Sequence, residues 1–243
     1  MSEDRTEQVR LYLPDVIADY PCRTYQEHIF DGSTATMELW PKDRVEKLVE
    51  ELSKLDYRDK EVVYDKLPPC WVIAIADHVL SPRKSYHWTK YLDGKDMEII
   101  SFKTGEHLNP SDSGIDFEVF GLGDDIFIHV IADDPDIPGH NYDPEGYFET
   151  IAPIIPPNHN VYIHASAATF IILAAEKTYA PISKSVSISF MHDLNKQGQR
   201  LYTCCYTTTP EIELGDTRPL IDPWDVWPFF LDREKMMKEL QEI

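Results

Sequence analysis

Residues 161–191 limit the fold more than any other stretch, because an apolar run, a block of small residues, an apolar helix and an alternating strand follow one another there. Val161-Tyr162-Ile163-His164 has the makeup of a buried strand. Ser166 stands where an N-cap is expected for a helix beginning at Ala167. From Phe170 to Ala175 that helix has no polar face, so it is predicted to be covered on most sides until Pro181 stops it. Val186, Ile188 and Phe190 then alternate with Ser185, Ser187 and Ser189, the period of a half-buried strand. Strand, helix and strand within about thirty residues form a βαβ unit, with parallel pairing and a right-handed crossover. The predicted class is therefore α/β, a mixed and largely parallel sheet with covering helices.

The flanking sequence fits that frame. Two strands are expected around Asp31-Gly32-Ser33, and Pro41 opens an amphipathic helix whose Val45, Leu48, Val49, Leu52 and Leu55 share one stripe. Pro68-Pro69 precedes a strand expected at residues 71–76, and residues 97–102 read as another. Residues 117–120 and 126–132 are two more strands, joined by Gly121-Leu122-Gly123-Asp124, a hinge between halves 25–122 and 124–208 of a single unit spanning 1–243. A short helix is expected near Phe148, and residues 201–208 pair with residues 185–190 as a hairpin. In the tail, residues 218–243, Trp224, Trp227, Phe229 and Phe230 carry too much aromatic area to stay wet. They either fold back onto the body or dock on another subunit or a partner protein.

Charge narrows the function. The 243 residues hold 23 Lys and Arg against 43 Asp and Glu, a net −20, and such a field repels duplex nucleic acid and anionic membranes. No apolar run approaches about 18 residues, and Met1-Ser2-Glu3-Asp4 lacks the basic-then-apolar order of a signal peptide. Cys22, Cys70, Cys204 and Cys205 have neither zinc spacing nor a disulfide framework. A cytoplasmic protein in a reducing compartment, with no cofactor and no metal, is the expectation.

Two stretches are candidates for ligand binding. Strand C-termini and helix N-termini gather ligands in α/β sheets, which singles out His164, Ala165, Ser166, Ala167 and Thr169, where free backbone N–H groups suit a phosphate or carboxylate. The same stretch reads equally well as a capped helix with small residues for tight packing. Residues 81–90 interleave cations and rings without a carboxylate: Arg83, Lys84, Tyr86, His87, Trp88 and Lys90 could grip phosphates and stack on bases, or form a solvated strand edge.

Other motifs fail on chemistry. Residues 134–145 approximate a calcium loop, but Pro138 offers no side-chain oxygen at the fifth position. His129 and His164 lie in apolar strands without a companion spacing such as HExxH, and read as hydrogen-bonded core residues. Ser166 is flanked two residues away by His164 and Ala168 where a nucleophile elbow needs glycines, so no catalytic residue is assigned.

The order of an apolar strand, His164-Ala165-Ser166-Ala167-Ala168, a buried helix, a strand and a hairpin resembles the C-terminal part of SAVED domains, which themselves resemble two fused CARF halves. Residues 126–133 and the helix expected after them are similar to the elements that precede it in that family, so the likeness spans residues 123–208. The resemblance implies a receptor for cyclic oligonucleotides in antiphage defence, with ligand held across two halves and Ala165, Ser166 and Ala167 at the strand end.

The leading expectation is thus a non-enzymatic protein that binds a small anionic nucleotide between Ser166 and Arg83 or Lys84. The −20 charge motivates a rival, an acidic immunity or inhibitor protein that neutralises a basic toxin or nuclease. A third reading, an enzyme at the same strand ends, would need His164 as acid or base.

Overall fold

The chain is a mixed α/β protein built on sheets that combine parallel and antiparallel strands. The computed structural model describes residues 7–28, 34–65, 68–89, 94–105, 114–132, 151–189 and 199–221. The fold divides into two units, Met1–Ile99 and Ile100–Ile243.

The first unit contains β1 (Gln8–Leu11), α1 (Leu13–Val16), β2 (Thr24–His28), β3 (Thr34–Glu38), α2 (Lys42–Leu52), β4 (Glu61–Tyr64), α3 (Cys70–Leu80), β5 (Lys84–Thr89) and β6 (Lys95–Glu98). Its main sheet runs β1-β4-β5-β6, with the first three strands parallel and β6 antiparallel; β2 and β3 form a separate hairpin. Pro41 precedes α2 as expected, and Val45, Leu48 and Leu52 are buried, while Leu55, expected on the same stripe, falls beyond the helix and is exposed. α2 packs on α3, and Tyr64 donates a 3.0 Å hydrogen bond to Asp77 of α3, so α3 lies over the sheet face that carries Val62, Tyr64, Ser85 and His87.

The strand expected at residues 71–76 is instead the middle of α3. A short apolar run has no period to separate a strand from a helix buried all round, and α3 is that helix, with Trp71 to Ala76 all buried. The strand expected at residues 97–102 also moves: pairing with β5 selects Lys95–Glu98.

The second unit contains β7 (Lys103–Gly105), β8 (Ile115–Leu122), β9 (Asp125–Ala132), β10 (Ile151–Pro153), β11 (Asn160–Ser166), α4 (Thr169–Tyr179), β12 (Ser185–Ser189), β13 (Arg200–Thr207) and β14 (Thr217–Leu220). Six strands make one sheet in the order β14-β13-β12-β11-β9-β8, while β7 and β10 pair separately in parallel. The predicted βαβ unit is present as β11-α4-β12, parallel and in register from Asn160 opposite Ser185 to His164 opposite Ser189. β13 returns antiparallel to β12, as the expected hairpin.

Three local readings change. Ser166 is not the helix cap, because β11 stays extended through it, pairing with Ile131, and Ala168 is the N-cap of α4 with no side-chain cap bond. The serines of β12 are not on a wet face: Ser185, Ser187 and Ser189 are as buried as Val186 and Ile188, as befits a strand inside a six-stranded sheet. The stretch expected as a hinge is the tight β8–β9 turn, where Leu122 faces Asp125 and Gly123 takes a φ of 61°, the left-handed geometry such turns demand of a glycine.

The turn at Asp31-Gly32-Ser33, Lys90, the 134–145 loop, the helix near Phe148, Phe190 and the tail residues Trp224, Trp227, Phe229 and Phe230 lie outside the described residues. Among the described residues no helix is long and apolar enough to cross a membrane.

Candidate functional site

Strand alternation sorts the second unit's sheet into two faces. Ile126, Ile128, Val130, Val161, Ile163, Ala165, Val186 and Ile188 form one, all apolar and buried, and α4 packs on these three strands. The opposite face reads in rows, from the N-terminal to the C-terminal ends of the parallel strands.

The first row is a hydrogen-bonded chain: Ser185 Oγ donates to Asn160 Oδ1 at 3.1 Å, and Asn160 Nδ2 donates to Asp125 Oδ1 at 2.9 Å. The second is aromatic, with Phe127 stacked on Tyr162 at 5.1 Å and Tyr202 edge-on to both, joined by Phe120 and Leu220. Burial, with Asp125 nearby, pushes the Tyr162 phenol up to about 12, so it stays a neutral donor. Burial likewise raises the Cys204 thiol to about 11, which keeps it protonated and unreactive.

The third row is polar again. Glu118, His129, His164 and Ser189 occupy matching positions on β8, β9, β11 and β12. The two imidazoles stack with ring centroids 4.5 Å apart and planes 13° from parallel. Glu118 Oε2 lies 3.7 Å from His129 Nδ1. His164 is 6% exposed, and the His129 side chain is 15% exposed.

Two residues beyond His164, β11 ends at Ser166, and the half-buried Ala167, Ala168 and Thr169 lead into α4. Ala165 is fully buried on the α4 face. The first turn of α4 thus meets small side chains and no capping oxygen, beside the strands that carry the histidine pair.

The other expected stretch lies in the first unit, on β5. Alternation divides it: Lys84, Tyr86 and Trp88 share one face, and the buried Ser85 and His87 the other. The carboxylates missing from the local sequence arrive from adjacent strands, since Glu61 stands beside Lys84, Glu98 beside Tyr86 and Asp96 beside Trp88. Lys84 Nζ pairs with Glu98 at 3.1 Å, which raises its pKa, and Arg10 makes two bonds to Asp96 at 2.8 and 3.0 Å. Arg83 is exposed just before the strand, its backbone N–H donating to Lys60 O. Arg83 and Lys84 belong to one unit, and His164 to Thr169 to the other.

His129 is the site residue that sequence reasoning set aside. A signal for it exists: Asp125-Ile126-Phe127-Ile128-His129 and Asn160-Val161-Tyr162-Ile163-His164 repeat the order polar, aliphatic, aromatic, isoleucine, histidine, which two adjacent parallel strands in register turn into rows. Among the described residues no cluster of three or more His, Cys, Asp or Glu could hold a metal ion. No family model matches the chain, and no curated protein or solved structure matches it either.

Proposed function

We propose that the second unit binds a small anionic nucleotide, a cyclic oligonucleotide, at the C-terminal ends of β9, β11 and β12, without chemically altering it. The observation that carries this reading is the stacked His129–His164 pair, set in register near the C-terminal ends of β9 and β11, the second of which leads into α4, a helix with no side-chain cap. In open α/β sheets ligands collect at strand C-termini, where backbone N–H groups of a helix start attract an anion. An imidazole ring can donate a hydrogen bond to an anion or stack on a base. The Phe127, Tyr162 and Tyr202 cluster on the same face gives the pair a rigid apolar floor. The choice of a cyclic oligonucleotide, and a role in antiphage defence, rest on the resemblance to SAVED domains alone.

A calorimetric panel of cyclic di- and trinucleotides tests the reading. Binding that weakens when a carboxylate is placed at the strand end by Ser166→Asp supports it, whereas no binder, or one indifferent to that change, sinks it. The net charge of −20 favours a second reading, an inhibitor that docks on a basic protein through long-range attraction. It is distinguished by salt-sensitive association with such a protein and by indifference to Ser166→Asp.

A further inference from the structure

We infer that the ligand of the second unit is gripped at a second point by Arg218 of β14, so that the site takes a molecule with two separated phosphates; this rests on the binding reading above and narrows its ligand. The placement follows from register. Leu220 packs against the aromatic row of Phe120, Phe127, Tyr162 and Tyr202, and Arg218, two residues earlier on the same strand, therefore projects from the same face. There it stands opposite Tyr202, which meets Tyr162 edge-on at 5.3 Å, and His164 lies two residues beyond Tyr162. The Arg218 charge is felt along this path, where it opposes the rise that burial imposes on the Tyr162 phenol and the Cys204 thiol. Arg200, 5% exposed and opposite Leu220, adds a second guanidinium to that face at the diagonal position.

Arg218 has what a ligand contact needs. It is exposed, and among the described residues it makes no hydrogen bond or ion pair, although the chain holds 43 Asp and Glu against 23 Lys and Arg. Three carboxylates of this unit are engaged elsewhere: Asp124 with Lys184 at 3.0 Å, Asp125 with Asn160 at 2.9 Å, and Asp216, just before β14, with the Glu213 backbone N–H at 3.0 Å. A guanidinium is always charged and offers paired donors that fit a phosphate. β11, whose end leads into α4, lies three strand spacings from β14, about 14 Å. One phosphate cannot reach both places, whereas a cyclic oligonucleotide carries a phosphate at each link of its ring and can present one to each.

Calorimetry on the full chain with cyclic diadenylate, cyclic triadenylate and adenosine monophosphate tests the inference. Both rings are expected to bind more tightly than the monophosphate. Arg218→Gln, at an exposed side chain, should leave the melting temperature in place and weaken both rings by about tenfold or more, the worth of a charge-assisted contact. Arg218→Lys, which keeps the charge without the fork, should recover part of that affinity. Rings that bind Arg218→Gln as tightly as the unaltered chain, while Ser166→Asp still weakens them, overturn the inference and leave the binding reading standing. A loss that Arg218→Lys shares in full does the same, since it traces to packing of the side-chain stem and not to charge. Equal affinity for the rings and the monophosphate likewise overturns the inference alone. Absence of binding by all three nucleotides overturns the two together.

Discussion

Both units set three parallel strands side by side and close them with an antiparallel strand: β1-β4-β5 with β6 in the first, β9-β11-β12 with β13 in the second. They differ in how the face away from the helices handles charge. In the first unit Arg10 is tied to Asp96, Lys84 to Glu98, and Tyr86 is raised by burial and by Glu98, so its ionic groups satisfy one another. In the second unit the corresponding face carries a satisfied polar row, an aromatic row and then the stacked histidines at the strand ends. A face whose charges are matched has little left to offer a ligand.

The largest expected effect separates stability from binding. Leu48 is fully buried on α2, and Leu48→Ala should destabilise the first unit by about 2–5 kcal/mol in urea titration. Ligand affinity should stay within about twofold if the site belongs to the second unit alone, since a residue that shares no partner with the site acts independently of it. A larger loss of affinity would break the contrast.

Next is a trait the two units share. Tyr64 is held well above the ordinary tyrosine range by burial and then by Asp77, and Tyr162 is raised to about 12 by burial and then by Asp125. A folded-state pKa above the unfolded one means that this stability is intact below the ordinary phenol pKa and is lost as pH climbs through the raised value. Tyr162→Phe should therefore flatten the alkaline limb of the stability curve by up to about 2 kcal/mol, measured by urea midpoints from pH 9 upward in roughly one-unit steps. An unchanged limb would show that the aromatic row does not desolvate the phenol.

The functional contrast is tested by a pair of variants. Ser166→Asp should weaken nucleotide binding by about tenfold or more, while Lys84→Ala, which removes a cation already engaged by Glu98, should change it by less than about twofold. Equal losses in calorimetry would return the basic strand to the site.

The smallest effect lies on α2. Glu51 is lowered to about 2, mainly by its bond with Lys47 and then by that with Lys54, at a half-buried side chain on the helix surface. A lowered carboxyl pKa contributes stability above the unfolded carboxylate pKa and loses it as pH falls toward about 2. A slight acid slope in the urea midpoint should vanish in the Lys47→Gln, Lys54→Gln double variant.

How far the fold could be read depended on whether a segment's period carried information. α2 could be placed because Val45, Leu48 and Leu52 recur at helical spacing behind Pro41. The run from Cys70 to Leu80 could not, because a helix buried on every side loses its period. The site followed the same logic. His164 and its small neighbours were visible as a strand end, but His129 gained meaning only when parallel pairing laid β9 against β11. The basic segment seemed free of acid because Glu61, Asp96 and Glu98 are distant in sequence and adjacent only across strands.

By itself the sequence determined the α/β class, the βαβ unit at β11-α4-β12, the β12–β13 hairpin and the acidic field, since each rests on local pattern or on a sum over residues. Tertiary structure decided which strands are neighbours and in what register. That choice turned two separate histidines into a stacked pair and a run of cations into matched ion pairs, because the forces between charged and aromatic groups act over a few ångströms of space, whatever their separation along the chain.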